Sequence, residues 1–297
     1  LGIPLPTFYF NQDQSGAMQV VDGVQRLTSI WNFIRGERLS GLIHLKPLDG
    51  RAYADIEPML RRRFQQAAVM VHVIEPQTPD EVKLEVFKRI SSGAKPLTTN
   101  EIRHCMSCSR SRELLARLTA MPSFHEATGH AFKKERRMAD REFVLRFCAF
   151  RLLATLEDYR KFQSMDAFLL DFVRQVDGTA RLKPRLADHM VNMLEDDFDR
   201  AMHSATAIFG DAAFRKYSEG SKRRGPLNRA LFDSWAVTLA DYEPARVEPH
   251  KSAIVEAARQ RMAESAYNEA ISGGTGNYSK VKHRFEAARQ IMHEVLQ

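Results

Sequence analysis

The hydrophobic residues in the first third of the chain form short extended runs that are separated by helical patterns. Residues 8–10, 18–21 and 69–74 each predict a β-strand, and residues 42–45 predict a further short strand. A polar turn joins the first two runs, so we expect them to form a hairpin. Strands that alternate with helices predict a small α/β domain over residues 1–108.

Several helices are predicted within this domain. The first follows the second strand, and its apolar residues recur at helical spacing, which predicts one buried face. These residues are Leu27, Ile30, Trp31 and Ile34. Pro58 marks the start of a helix or a break in one, and Pro79 opens a later helix. Thr98 and Glu101 then form a capping box for the next helix.

From residue 109 onward, extended runs are nearly absent and helical patterns dominate. Helices are predicted over residues 110–120, 140–157, 164–176, 184–208, 226–241, 250–272 and 278–296. The last pattern is more typical of a helix that packs in a core than of an interaction helix. The sequence therefore predicts an α+β protein, in which the small α/β domain is followed by an all-helical domain over residues 109–297.

Composition narrows the classes of partner. The 297 residues carry a formal net charge of +7, which favours polyanionic partners such as nucleotides or nucleic acid. No apolar run is long enough to predict a membrane span. Three cysteines favour the reducing cytoplasm. Because Leu1 opens the chain in place of an initiator methionine, we expect the natural N-terminus to be missing.

The first candidate site follows the second predicted strand. Asp22 and Gly23 predict a turn into the N-terminus of a helix, where free N–H groups and the helix dipole attract anions. Arg26 can bind phosphate in a bidentate manner, and Asp22 can bind a metal ion or act as a base. An Asp-Gly turn before a helix also occurs in many proteins that have no phosphate site.

A second candidate site lies between two predicted helices. The loop at residues 91–93 can present N–H groups and hydroxyls to an anion. Arg89, Lys95 and Arg103 bring positive charge to this region. The alternative interpretation is a plain helix–turn–helix connection whose charges are solvated.

Together these motifs resemble the ParB/sulfiredoxin-like N-terminal domain of GmrSD-type restriction and phage-defence proteins, a family that includes BrxU and SspE. The resemblance rests on Asp-Gly-x-Gln-Arg-Leu-Thr at residues 22–28 and on Phe-x-Arg-Ile-x-x-Gly, with a later Glu-Ile-Arg, at residues 87–103. The extended segment at residues 2–10 is similar to the entry strand of the family. The resemblance covers residues 1–108, and residues 214–215 and 228–233 are more loosely similar to helical extensions of related members.

The resemblance implies a nucleoside-triphosphate site, with Mg²⁺, that regulates defence against phage or foreign DNA. Asp22 would bind Mg²⁺ or orient water, and Gly23 would let the backbone approach the phosphates. Gln25 would position water or phosphate, and Arg26 would neutralise charge on the γ-phosphoryl group. The other nucleotide-binding residues that the resemblance implies are Thr28, Arg89, Ser91, Ser92, Gly93 and Arg103.

Three departures from the family pattern are relevant to activity. Val24 replaces a glutamine and cannot form a hydrogen bond, and Ser91 replaces an asparagine, so hydrolysis is more in question than binding. Many relatives also carry an HNH nuclease domain, whose metal site is predicted from a ββα pattern. Here His189, Asn192 and His203 lie in a helical pattern instead. We therefore expect the chain either to need a partner for DNA cleavage or to sense without cutting.

Other charged clusters have competing interpretations. Two basic stretches could contact the backbone of duplex DNA, although a solvated face is the more common explanation. They comprise Lys133, Lys134, Arg136 and Arg137, and Lys222, Arg223 and Arg224. Cys105 and Cys108 have the spacing of a zinc motif without a second pair. The acidic residues Glu195, Asp196, Asp197 and Asp199 predict a helix face rather than a metal site.

The residues support three functional hypotheses, and the sequence does not decide whether the chain is an enzyme. The first is a cytoplasmic, weakly hydrolysing NTP-binding regulator of a bacterial restriction system, acting with DNA or with a partner such as a nuclease. The second is a non-enzymatic nucleic-acid-binding module. The third is a metal-dependent DNA nuclease that uses the ParB-like motif. The nucleotide, the DNA feature that is sensed and the oligomeric state stay open.

Overall fold

The computed structural model describes residues 5–13, 15–90, 97–134, 137–180, 183–217 and 225–297. The chain divides into two compact units, Leu1–Thr98 and Thr99–Gln297. The first contains a small sheet with helices and the second is helical, which confirms the predicted α+β class. The domain boundary that the sequence suggests after residue 108 stays a prediction, as does the ParB-like detail of the first domain.

The first unit contains a three-stranded sheet. Its strands are β1 (Phe8–Gln12), β2 (Met18–Asp22) and β3 (Val71–Ile74). The order is β2-β1-β3; β1 pairs antiparallel with β2, as the predicted hairpin requires, and parallel with β3. The strand predicted over residues 42–45 is wrong. The Asp49 carboxylate accepts a hydrogen bond from the backbone N–H of Leu42, so this segment folds onto its own loop, and Ile43 is exposed.

Three helices complete this unit: α1 (Val24–Ile34), α2 (Pro58–Gln65) and α3 (Asp80–Ile90). The prediction of which face of α1 is buried is wrong, because Trp31 is 56% exposed and Ile34 is 46% exposed. Phe33 is the buried residue of α1 instead, and its ring packs edge-on against Tyr53 and Phe64. Arg26 lies two turns earlier, and its contacts with the start of β1 fix the same rotation of the helix.

The second unit is built from eleven α-helices within its described residues. They are α4 (Thr99–Met106), α5 (Ser109–Thr119), α6 (Pro122–Ala127), α7 (Ala139–Arg151), α8 (Met165–Asp177), α9 (Asp188–Phe209), α10 (Arg229–Leu239), α11 (Pro244–Val247), α12 (Lys251–Ala263), α13 (Ser265–Ser272) and α14 (Tyr278–Leu296). Each predicted helix has a counterpart, but residues 250–272 form two helices. The short α6 and α11 were not predicted.

The core of the second unit surrounds α10, which is buried from Ala230 to Leu239. Helices α7, α9 and α14 pack against it. At the centre, Asp233 is fully buried and its carboxylate accepts hydrogen bonds from two buried guanidinium groups, those of Arg146 and Arg284. The α14 helix contributes Phe285 and Ile291 to the same core, which confirms its predicted packing role. Among the residues that the structure describes, no helix is both long and apolar enough to cross a membrane.

Candidate functional site

The strand–turn–helix predicted at residues 22–26 is present. Strand β2 ends at Asp22, and Gly23 has a φ of +99°, the left-handed conformation that favours glycine. The Gly23 carbonyl then accepts the first hydrogen bond of α1, from Leu27 at 2.9 Å. No side chain caps this helix, and its first turn holds no acidic residue. In the described structure, the start of α1 is therefore an uncapped helix N-terminus, and the carboxylate of Asp22 comes just before it.

Gly23 is required for a second, steric reason. An ideal Cβ at this position would lie 2.4 Å from Cδ1 of Phe8, a side chain that is fully buried. Separations under 3.0 Å are essentially never found for real Cβ atoms, so any larger residue must displace the ring. The close contact between the turn and the Phe8 ring explains glycine here without reference to a ligand.

Arg26 joins the turn to the segment that enters β1. Its guanidinium donates hydrogen bonds to the backbone carbonyls of Pro6 and Thr7 and to the Asp22 carboxylate, where Nη2 and Oδ2 are 2.8 Å apart. The guanidinium also stacks over the Phe8 ring, 4.5 Å from its centre. Arg26 therefore fixes the position of Asp22 and holds the start of the sheet.

Asp22 keeps part of its surface open. Its side chain is 43% exposed, whereas that of Arg26 is 28% exposed. Gln25 and Thr28, which were predicted to assist at this site, are also exposed at the start of α1. A carboxylate, a polar first turn and an uncapped helix end are thus brought together at one position.

The second half of the predicted nucleotide site is only partly described. Ser91, Ser92 and Gly93 lie outside the described residues. Arg89 is exposed on α3, and its Nε is 2.9 Å from the Glu85 carboxylate. Arg103 belongs to the second unit, where it is buried and donates hydrogen bonds to Asn100 and Asp166.

The predicted DNA-binding residues differ in their availability. Lys133 and Lys134 are exposed. Arg137 is bound to the Glu101 carboxylate at 2.7 Å, so its charge is already partnered within the second unit. Arg136 and the stretch Lys222, Arg223 and Arg224 lie outside the described residues.

The clusters that could have suggested a metal have structural partners instead. Within the described residues, no group of three His, Cys, Asp or Glu side chains is arranged to hold a metal ion. Cys105 and Cys108 are not joined in a disulfide bond. On α9, Asp197 binds Arg151 and Arg200, as expected for an acidic helix face that forms ion pairs.

A polar pocket in the second unit was missed by the sequence reasoning. Asn100, Arg103 and His104 on α4 and Ser107, the residue after that helix, line it together with Arg141 of α7. Polar residues at this helical spacing are the signal that could have revealed it. Burial and the nearby positive charges of Arg141 and Arg112 lower the pKa of His104 from 6.5 to about 4, so the ring is neutral at pH 7.

Residues 1–107 match the model of the family described as GmrSD restriction endonuclease, N-terminal domain. The resemblance drawn from the motifs is thus confirmed for this part of the chain. The match ends one helix beyond the first compact unit, because it includes α4. Comparison with curated proteins and with solved structures gave no match.

Proposed function

We propose that this protein binds a nucleoside triphosphate, together with Mg²⁺, beside the start of α1 and so regulates a bacterial DNA-restriction or anti-phage system. The observation that carries this proposal is the match of residues 1–107 to the N-terminal domain of a restriction endonuclease. The geometry of the Asp22–Arg26 turn, which combines a helix N-terminus with a half-exposed carboxylate, supports the same assignment.

The residues present are compatible with both groups. Mg²⁺ in nucleotide sites is held by one or two carboxylates, with phosphate oxygens and waters completing its octahedron, so Asp22 alone is a sufficient protein ligand. The free N–H groups at the start of α1 would bind phosphate oxygens, and the Mg²⁺ would neutralise part of the triphosphate charge. Arg26 would hold Asp22 in place, because its guanidinium already has three protein acceptors.

Hydrolysis would be slow in this arrangement. Val24 occupies the first position of α1, is 53% exposed and has no group that could orient an attacking water. Gln25 is the exposed amide of the first turn and is the remaining candidate for that role. The proposal is therefore a nucleotide-responsive regulator whose output depends on binding more than on turnover.

The test is a calorimetric titration of the full chain with Mg-ATP and Mg-GTP. We expect one of them to bind, and the Asp22→Asn variant to weaken that binding about tenfold or more, since a charged ligand to the metal is lost. Asp55→Asn is a matched control, because Asp55 lies in the same unit, is 40% exposed and also pairs with an arginine. It should bind nucleotide as the unmodified protein does.

Two results would contradict this assignment. One is an absence of binding by either nucleotide across the tested concentrations. The other is an equal loss of affinity in the Asp22→Asn and Asp55→Asn variants, because that would reflect a general charge effect. Phosphate release measured in the same samples reports hydrolysis separately.

We also propose duplex DNA as a partner of the second unit, contacted through the exposed Lys133 and Lys134. Each phosphate contact releases counterions, so binding should weaken steeply as salt increases. Replacing both lysines with glutamine should reduce the slope of log affinity against log salt by up to about 2. An unchanged slope would exclude these lysines from the interface.

A further inference from the structure

The polar pocket beside α4 lies wholly within the second unit. Its enclosed part has a volume of about 20 Å³, room for a group little larger than water. Polar residues of α4 and of the first turn of α7 line it, together with the apolar side chains of Leu115, Leu145 and Val173. A site of this size suits a single small polar group.

Arg103 supplies an unsatisfied donor to this pocket. The residue is only 6% exposed, and two of its guanidinium nitrogens donate to Asp166 and Asn100. Its Nε has no hydrogen-bond partner, although it is buried. Buried donors in folded proteins nearly always have an acceptor, so this N–H indicates an acceptor that the chain itself does not supply.

Arg141 faces the same pocket with an uncompensated charge. Its Nη1 lies 2.8 Å from Nδ1 of His104, and within the described structure no carboxylate pairs with its guanidinium. A neutral imidazole that accepts a hydrogen bond from Arg141 at Nδ1 carries its own proton on Nε2. His104 is therefore a second potential donor, next to the guanidinium.

The nearby carboxylates leave Arg141 without a counterion. Glu142 lines the pocket, but it already accepts a hydrogen bond from Asn100 at 2.9 Å and pairs with Arg146 and Arg229. Asp166 pairs with Arg103, so the charge of Arg103 already has a partner. The pocket thus keeps an excess of positive charge and of hydrogen-bond donors.

We infer that this pocket binds a phosphate-sized oxyanion between Arg103, His104 and Arg141. Arg141 can bind two oxygens with its planar fork, and Arg103 Nε and the His104 ring can bind others. The donors come from two helices, an arrangement that suits a tetrahedral group better than a flat carboxylate. Every residue that lines the pocket belongs to Thr99–Gln297, so the inference does not depend on the Asp22 site proposed in the first unit; Arg103 is the one lining residue that the resemblance also implies for nucleotide binding.

The test is a titration of the full chain with inorganic phosphate, followed by NMR of histidine-labelled protein. The His104→Gln variant identifies the His104 signal. Saturable binding should shift this signal and raise the pKa of His104, because a bound anion favours the protonated ring. Arg141→Gln should weaken phosphate binding about tenfold to a hundredfold, the range for a lost hydrogen bond to a charged group.

Two further variants keep the test decisive. Arg289→Gln, at an exposed position of α14 outside the pocket, makes the same charge change and should leave phosphate affinity unaltered. Arg141→Lys keeps the charge but loses the fork, so it should give intermediate affinity even if Arg141→Gln folds poorly.

The inference is overturned if phosphate gives no saturable change at His104, if acetate binds as tightly as phosphate, or if Arg289→Gln weakens binding as much as Arg141→Gln. Competition identifies the source of the bound group. Displacement of phosphate by ATP would indicate the phosphoryl group of a nucleotide, whereas retention of phosphate in the presence of ATP would indicate the free ion. Either result supports an oxyanion pocket.

Discussion

Replacing Gly23 with alanine is the most direct test of the turn that precedes α1. The new Cβ would lie 2.4 Å from the Phe8 ring, and φ would have to stay near +99°. The left-handed backbone costs an L-residue about 1–3 kcal/mol. Displacing a fully buried ring adds about 1–3 kcal/mol, as for other overpacked cores. We therefore expect Gly23→Ala to destabilise the first unit by roughly 2–6 kcal/mol.

Gly36→Ala separates the two contributions. Gly36 has a φ of +106°, but a Cβ there would meet nothing within 4 Å. This variant therefore carries the backbone cost without the clash. The difference between the two variants should equal the steric contribution, about 1–3 kcal/mol in favour of Gly36→Ala.

Amide hydrogen exchange measured on peptides from β1 and β2 reports the opening of this sheet directly. The steric contribution corresponds to exchange about 5- to 150-fold faster in Gly23→Ala than in Gly36→Ala. Adding Phe8→Leu to Gly23→Ala should remove part of that difference, since the contacting ring is gone. Equal exchange rates in the two alanine variants would refute the steric explanation.

Two further predictions concern the second unit. Asp233→Asn should lower its free energy of unfolding by about 3–5 kcal/mol, because Arg146 and Arg284 would lose their buried counterion. The exposed control Asp241→Asn should cost at most about 1 kcal/mol. Equal melting temperatures of the two variants would contradict this prediction. The folded-state pKa of His104 is about 4, below the ordinary 6.5, so the unfolded chain binds more protons between these values and stability should rise with pH across that window. The melting temperature should change less between pH 5 and pH 7 in His104→Gln than in the unmodified protein. An identical change would contradict the assignment of this pH dependence to His104.

Local signals were sufficient to predict most of the secondary structure. Strands β1 to β3 come from aromatic and β-branched runs bounded by turns, and Pro58 starts α2, one of the two alternatives predicted for it. The pattern over residues 250–272 reads as one helix, yet Glu264 adopts an extended conformation and divides it. No glycine or proline marks that break, so tertiary packing, which the sequence pattern does not contain, determines it.

The contacts that define the sites could not be predicted from local patterns. Two acceptors of Arg26, the carbonyls of Pro6 and Thr7, lie about twenty residues earlier in the chain, and only the pairing of β1 with β2 brings them to the helix. His104 and Arg141 are similarly distant in sequence and meet because α4 packs beside α7. Charge and spacing identified Arg26 and Arg103 as candidates, but not which groups they contact.

The contacts of Arg26 also bear on what the first unit could do with a nucleotide. An arginine that stabilises a transition state must be free to follow charge as it develops on the transferred phosphoryl group. Here the guanidinium is bound to two backbone carbonyls and to Asp22, and it is stacked on Phe8. Releasing it would leave the start of β1 without its anchor. Under the proposed function, the positive groups that face the triphosphate are therefore the fixed N–H groups of α1 and the metal ion. Such a site would hold its ligand without a mobile catalytic arginine, so nucleotide occupancy would be the regulatory signal.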